Sequence, residues 1–338
     1  MKLYAAIDLH SNNSVLVILD EQDRIVYEKR LENQLSLIVG ALAPYRERVE
    51  AIAVESTFNW YWLVDGLMEA GYRVKLVNTA AVKIYEGLKY TGDEHDARHL
   101  AHLLRLGILP TGYIYPKAER AVRDLLRKRS QLVRYRTAQI LSIQNLISRN
   151  SGQPMNTTEI RALTAPRIEA LCGGDAARVL AVESNRAVLH CLDEHIEKLE
   201  QTVLAQAKLK AEFKWLLTVY GIGKILAMTI MYETGTIDRF RKVGQFASYA
   251  RCVESRRLTN GKKKGEGNRK NGNKYLAWAF VEAAHAALHY EGIRAFYQRK
   301  RAKKNGAVAT KAVGHKLSRA CYHVLKEQVP FDVTRAFA

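Results

Sequence analysis

Residues 3–78 alternate short apolar runs with tight polar turns, and the order of those runs leaves few folds open. LYAAID (3–8) ends on Asp8; the turn Ser11-Asn12-Asn13-Ser14 follows, then SVLVILD, a second turn over Glu21–Arg24, and RIVYEKRL. Three strands joined by tight turns make an antiparallel meander. A helix is predicted around 34–47, with Leu35, Leu37, Ile38 and Leu42 on its apolar face. AIAVES (51–56) reads as a buried strand, because an unbroken apolar run ends there on a polar pair. WYWLVDGLMEAG follows as a helix closed by Gly71, and YRVKLVN as the next strand. Three hairpin strands and then strand–helix–strand is an α/β order.

The rest of the chain reads as helix. Residues 93–107, DEHDARHLAHLLRLG, open with acids at a helix start, where the helix dipole favours them. Pro110 marks a break. A helical stretch over about 117–150 carries leucines and isoleucines at three- and four-residue spacing, with arginines on its other faces. A second helix, roughly 176–213, follows the Gly173-Gly174 break. The two read as an antiparallel hairpin or a coiled-coil arm, although the apolar spacing assigns no heptad register. Residues 214–338 are helical and basic, with one glycine- and lysine-rich loop, NGKKKGEGNRKNGN (260–273). The expected division is an α/β domain over 1–115, a helical arm over 116–213 and a mainly α basic domain over 214–338.

Charge separates these parts. The chain carries 53 Lys and Arg against 34 Asp and Glu, a net +19. From residue 206 onward there are 27 cations and 9 anions, whereas residues 1–205 hold 26 and 25. Nearly all the excess therefore sits in the C-terminal part, which favours a polyanionic partner such as nucleic acid. The cysteines (Cys172, Cys191, Cys252 and Cys321) are far apart and form no CxxC pair, as expected of reduced thiols rather than a zinc site. No apolar run approaches the ~20 residues of a membrane span, and MKLYAAIDLHSNNS lacks a long apolar core, so the expected setting is the cytoplasm, away from membranes.

Asp8, Glu55, Asp93 and Asp96 stand at element ends, and together they suit a metal site. Asp93 and Asp96 are three apart on one helix and share a face. Taken singly, a strand-end aspartate is often a turn residue, and acids at a helix start are often caps. Their conjunction in an α/β order that brings them together favours function. Oxygen-only donors are what Mg²⁺ prefers, and two such ions can activate one oxygen and stabilise the leaving one in phosphodiester chemistry.

Several runs carry a family resemblance: Ile7-Asp8-Leu9-His10, Val54-Glu55-Ser56-Thr57 and Asp93-Glu94-His95-Asp96-Ala97-Arg98-His99-Leu100-Ala101. It continues through Val219-Tyr220-Gly221-Ile222-Gly223, Phe246-Ala247-Ser248-Tyr249-Ala250, Asn260-Gly261-Lys262-Lys263-Lys264-Gly265, Asn271-Gly272-Asn273-Lys274-Tyr275-Leu276 and Pro330-Phe331-Asp332. In this order, over essentially the whole chain, these resemble the DEDD transposases of insertion sequences, relatives of the Piv/MooV DNA invertases. The resemblance implies a ribonuclease-H-like domain similar to the RuvC resolvase, a coiled-coil arm and a mainly α transposase domain. It implies that Asp8, Glu55, Asp93 and Asp96 hold two Mg²⁺ ions. It further implies a serine nucleophile that forms a covalent protein–DNA intermediate, guidance by a noncoding bridge RNA pairing with donor and target DNA, and a homo-oligomer, dimer or tetramer. Where the family has its serine, this chain has Thr259, whose extra methyl crowds in-line attack. Ser255 is the other candidate hydroxyl.

The candidate nucleic-acid contacts are all cationic. Lys262, Lys263, Lys264, Arg269, Lys270 and Lys274 lie among glycines and asparagines, with Glu266 alone opposing them, as suits a segment that orders on a phosphate backbone. Arg256 and Arg257 precede them. On the arm, Arg123, Arg127, Lys128, Arg129, Arg134 and Arg136 are placed for a DNA backbone or structured RNA. The run from Val219 to Gly235 reads as a helix–GIG–helix hairpin. The backbone of Gly221 to Lys224 then either approaches a phosphate or simply turns between packed helices.

Overall fold

The computed structural model describes residues 1–82, 92–253, 256–260, 262–266 and 271–337, leaving aside the side chains of 93–94, 256–259 and 263–266. It comprises two compact units: Met1–Lys117 with Arg256–Asn271, and Ala118–Ser255 with Gly272–Ala338. The segments expected as arm and basic domain thus fall largely together in the second unit. The basic loop's strands group with the first.

The first unit is built on a five-stranded sheet. Its strands are β1 (Leu3–Leu9), β2 (Asn13–Leu19), β3 (Ile25–Glu32), β4 (Val49–Glu55) and β5 (Val74–Val77), in the order β3-β2-β1-β4-β5. β1, β2 and β3 pair antiparallel, as tight turns require; β4 and β5 join parallel to β1. This mixed sheet agrees with the ribonuclease-H-like arrangement expected from the sequence. Helices α1 (Leu35–Leu42), α2 (Tyr61–Glu69), α3 (Thr79–Val82) and α4 (Asp93–Arg105) complete the α/β part.

Strand alternation sorts the side chains onto two faces. Ile7, Leu9, Ile52 and Val54 pack with Ile38 and Leu42 of α1 and Leu63, Val64 and Leu67 of α2. Ala6, Val15, Val17 and Ala53 pack with Ala97, Leu100 and Ala101 of α4 on the other face. β1 is covered on both faces, which is why it reads as a continuous apolar run. Alanines on helix and strands alike let α4 lie close against the sheet. Arg98 grips Glu28 of β3 through two bonds of 2.5 and 2.6 Å, and Arg105 grips Asp23 through bonds of 2.6 and 2.5 Å, which sets the helix's position along the sheet.

The second unit is helical. α5 (Lys117–Ser151) and α8 (Ala176–Ala207) run antiparallel: Arg129 meets Glu200, Arg136 meets Asp193 and Ser142 meets Asn185, one number falling as the other rises. On α8 the buried residues Val182, Leu189, Ile196 and Val203 recur every seven positions; on α5, Leu126, Ile140 and Ile147 are buried with the same phase, Val133 taking the intervening place. Between them α6 (Thr157–Arg161) and α7 (Ala165–Leu171) close the end, and Gly173 and Gly174 both take left-handed φ before Asp175 caps α8. The helix expected over 176–213 instead stops at Ala207. Lys210 is extended (φ −103°) and starts α9 (Ala211–Leu216), which turns Phe213 and Leu216 into the same core as Val203.

That core continues through α10 (Lys224–Thr234), α11 (Val243–Tyr249), α12 (Lys274–Ala287), α13 (Glu291–Lys303), α14 (Gly306–Glu327) and α15 (Val333–Phe337). The GIG turn has a packing reason. Gly221 sits at φ +83°, and a Cβ there would lie 2.3 Å from the Ala283 carbonyl oxygen and 2.7 Å from the Ala287 nitrogen of α12. Gly221→Ala is therefore expected to cost about 2–4 kcal/mol, from left-handed strain plus overpacking against backbone. Urea unfolding followed by circular dichroism checks this, and an unchanged midpoint would refute it.

Candidate active site and nucleic-acid surface

Parallel pairing brings the first two acids together. Ala6 faces Ala53 and Ile7 faces Val54, so the next step along both strands sets Asp8 beside Glu55 on the α4 face. Asp8 is 3% exposed and Glu55 half-buried. Burial, a hydrogen bond to Asp8 and the negative charges of Asp8 and Asp96 push Glu55 up to about 8 from its ordinary 4.5. Near neutrality, without a cation, this shift favours the protonated form of Glu55. His10 Nε2 lies 3.4 Å from Asp8 Oδ2.

Asp96, on the first turn of α4, is exposed yet close enough to act on Glu55. Asp93 is the first residue of α4; its side chain lies outside the described residues. The described structure thus gathers Asp8, Glu55 and Asp96, and leaves the fourth acid unassessed. Among the described residues no group of three or more His, Cys, Asp or Glu side chains is drawn in tightly enough to hold a metal ion. The donor chemistry nevertheless fits a hard cation: three carboxylates, oxygen donors throughout.

The strand ends are braced by residues that the sequence pattern did not single out. Asn59 Nδ2 and Asn33 Nδ2 each donate to the His10 carbonyl oxygen at 3.0 Å. Thr57 Oγ1 donates to Asn59 at 2.9 Å and Ser14 Oγ to Asn33 at 2.6 Å. The segment after Asp8 is therefore tied to the segment after Glu55. Polar residues crowding just beyond two strand ends were the available signal.

The candidate nucleophile lies on a hairpin of β6 (Arg256–Thr259) and β7 (Lys262–Glu266), where a loop was expected. Thr259 pairs with Lys262 across Asn260-Gly261, and Asn260 has φ +49°. Asn-Gly between short runs is a strong hairpin signal, and it stood in the sequence. The side chains of Thr259, Arg256, Arg257, Lys263 and Lys264 are outside the described residues, as are Ser255, Arg269 and Lys270 altogether.

The cations divide into two groups. Lys128, Arg134, Lys224, Lys262 and Lys274 are exposed, as are Arg299, Lys300, Arg301, Lys303 and Lys304 towards the end of α13. Four arm arginines are engaged inside the second unit instead. Arg127 binds Glu233, Arg129 binds Glu200, Arg136 binds Asp193, and Arg123 is buried. The cysteines are free, and among the described residues no helix is long and apolar enough to cross a membrane.

Comparison with known proteins places these features. Residues 5–150 match an IS110-type DEDD model described as "Transposase", and residues 214–298 match the model described as "Transposase IS116/IS110/IS902 family". The chain is 27% identical over 245 residues to a probable family 20 transposase of Pseudomonas aeruginosa, covering 70% of this chain and 71% of that protein. It is 23% identical over 301 residues to the transposase for insertion sequence element IS1111A of Coxiella burnetii, covering 84% and 77%. These matches are to transposases, enzymes that cut and join DNA strands and that typically work with divalent metal ions. The chain belongs to the IS116/IS110/IS902 family of insertion-sequence transposases.

The acid pair makes stability depend on pH. Glu55 ionises at about 4.5 in the unfolded chain and at about 8 in the folded one, so between these values unfolding releases a proton and metal-free stability falls as pH rises. Glu55→Gln removes that dependence. At pH 8 the variant is expected to be more stable than the parent by about 1–3 kcal/mol after allowance for solvent screening, and the gain should vanish near pH 4. Thermal unfolding in chelator across this range tests it; a gain that does not vary with pH would contradict the upward shift of Glu55.

Proposed function

We propose that this transposase exchanges DNA strands through a covalent intermediate on Thr259, with Asp8, Glu55, Asp93 and Asp96 holding two Mg²⁺ ions and a structured noncoding RNA choosing the sites. The observation that carries the reading is the Asp8–Glu55 pair: two adjacent carboxylates at the parallel strand ends of the sheet. It is supported by the grouping of β6 and β7, and so of Thr259, with the same compact unit as that sheet.

When bound, the ions would supply charge neutralisation at the phosphate and a lowered pKa for the attacking hydroxyl. The protein's own contribution is geometric. Asp8 and Glu55 converge from neighbouring strands, α4 brings Asp96 over them, and the Asn33 and Asn59 bonds hold the strand ends in place. At the hydroxyl, one phosphoester bond is exchanged for another: the Thr259 oxygen loses its proton and bonds to phosphorus, while the displaced strand oxygen leaves and takes up a proton. Bond energy is thus kept for rejoining, and no external energy source is required.

The exposed cations are the phosphate contacts in this reading, and binding should weaken steeply with salt. The seven-residue spacing along α5 and α8 supports a coiled-coil arm whose outward cations, Lys128 and Arg134 among them, meet RNA or DNA backbone. Handling two strand pairs at once calls for a dimer or tetramer.

The test uses purified full-length protein with its co-purifying nucleic acid and a labelled DNA carrying the element's end. Thr259→Ala should abolish the covalent adduct and strand joining, while Thr259→Ser should keep both. Asp8→Asn and Asp96→Asn should lower joining by about 10²-fold or more and remove the Mg²⁺-dependent rise in melting temperature. Cleavage that persists in Thr259→Ala without any adduct would mean hydrolysis by water, and an adduct that moves to Ser255 would reassign the nucleophile. Sequencing of the co-purified nucleic acid should return one discrete RNA; its absence would remove RNA guidance.

A further inference from the structure

The hairpin that carries Thr259 groups with the first unit, and the stretches of the second unit that flank it, its two roots around Tyr249 before it and Gly272 after it, are tied together. Asn273 N donates to the Tyr249 carbonyl oxygen at 2.6 Å, and Arg251 Nη2 donates to the Gly272 carbonyl oxygen at 3.1 Å. Gly272 has φ +82°, and a Cβ there would stand 2.6 Å from the same Tyr249 oxygen, so the two roots approach as closely as backbone allows.

Beneath this closure lies a buried polar hub. Glu233 of α10 is 2% exposed. Its carboxylate accepts Asn273 Nδ2 at 2.7 Å on Oε2, and the forked guanidinium of Arg127 at 2.7 Å on Oε1 and 2.8 Å on Oε2. Asn273 is saturated as well: its Oδ1 caps α12 by accepting from Tyr275 N at 2.8 Å and Leu276 N at 3.1 Å, and its Nδ2 also lies 3.3 Å from the Tyr249 hydroxyl. Arg127 stacks over the Tyr275 ring at 4.9 Å. A buried carboxylate is costly unless fully satisfied, so this cluster is a specific device rather than filler. It joins the arm helix α5, the core helix α10 and the return root of the hairpin segment at one carboxylate.

We infer that Glu233 and Asn273 are positioning residues: they hold the root of the hairpin segment so that the Thr259 hydroxyl is presented in one geometry. The inference rests on Thr259 being the attacking group. Arg127, which the sequence suggested as a phosphate contact, serves instead as the charge partner that lets Glu233 stay buried. Neither Glu233 nor Asn273 is assigned contact with DNA or metal; they act through the chain that they anchor.

The experiment exploits the direction of one hydrogen bond. Asn273→Asp keeps the helix cap but sets a carboxylate against Glu233, breaking the hub alone. Adding Glu233→Gln restores the bond with donor and acceptor exchanged and keeps one negative charge for Arg127. Three readouts are taken on the full chain: hydrogen exchange over residues 249–276, DNA affinity, and adduct yield. Asn273→Asp should speed exchange of the root and hairpin amides and lower adduct yield, each by about tenfold or more, the factor set by losing one hydrogen bond to a charged group, with affinity changed less than about threefold. The Asn273→Asp, Glu233→Gln double variant should recover exchange and yield to within about threefold of the parent, as expected for residues coupled in one network.

Unchanged exchange in Asn273→Asp would overturn the inference, as would a double variant no better than the two single changes combined. If Asn273→Asp does not fold, recovery in the double variant supports the hub and failure to recover refutes it. Thr259→Ala is run alongside. If it still forms adduct, the nucleophile reading has failed while the exchange data continue to judge the clamp.

Discussion

Two carboxylates set side by side at neighbouring strand ends are the constraint around which the first unit is arranged. The parallel pairing of β1 with β4 sets Asp8 next to Glu55, and the pleat turns both to the face covered by α4. Burial first, then the hydrogen bond to Asp8 and the charges of Asp8 and Asp96, push Glu55 up to about 8. The alanine-lined contact between α4 and the sheet brings Asp96 within electrostatic reach, and the grips of Arg98 on Glu28 and Arg105 on Asp23 keep that helix from sliding.

The second unit handles charge in the opposite way. Its long helices spend several arginines on partners across the helix pair, so a large formal charge does not translate into an equal number of phosphate contacts. Arg129 with Glu200 and Arg136 with Asp193 fix the antiparallel register at the edges of the apolar seam, and Arg127 neutralises Glu233 in the interior. The exposed cations are the outward set: Lys128 and Arg134 on the arm, Lys224 and Lys274 at helix starts, and the basic end of α13. The pairing of Arg127 and the exposure of Lys128, its next neighbour, follow from the turn of the helix, not from composition.

Much of this was legible from residue order. The meander, the buried strand ending in Glu55 and the helix opening on Asp93 were readable because each ends where a period changes, and acids stand at those ends. The hairpin around Thr259 was not read, although Asn260-Gly261 announced it, because lysine-rich flanks lack the apolar alternation that normally marks strands. The seam of α5 and α8 was also hidden. Val182, Leu189, Ile196 and Val203 keep a strict spacing of seven, but other apolar residues such as Val179, Val188 and Leu204 lie on α8 as well and blur the pattern. The GIG turn admitted two readings, and contact with α12 supplied the packing one.

The amino-acid sequence by itself determined which residues could carry chemistry and the order of elements that delivers them. Periodicity, turn residues and acids at element ends are local properties, and local properties survive in one dimension. Tertiary structure alone decided which charges are spent and which are available. Whether an arginine meets a carboxylate depends on a partner far along the chain, 57 residues for Arg136 with Asp193 and 106 for Arg127 with Glu233. It also decided that Glu55 is pushed well above the usual carboxylate range, because that depends on its burial and on the nearness of Asp8 across a strand pair. Both are pairwise, through-space energies, and only a folded chain has them.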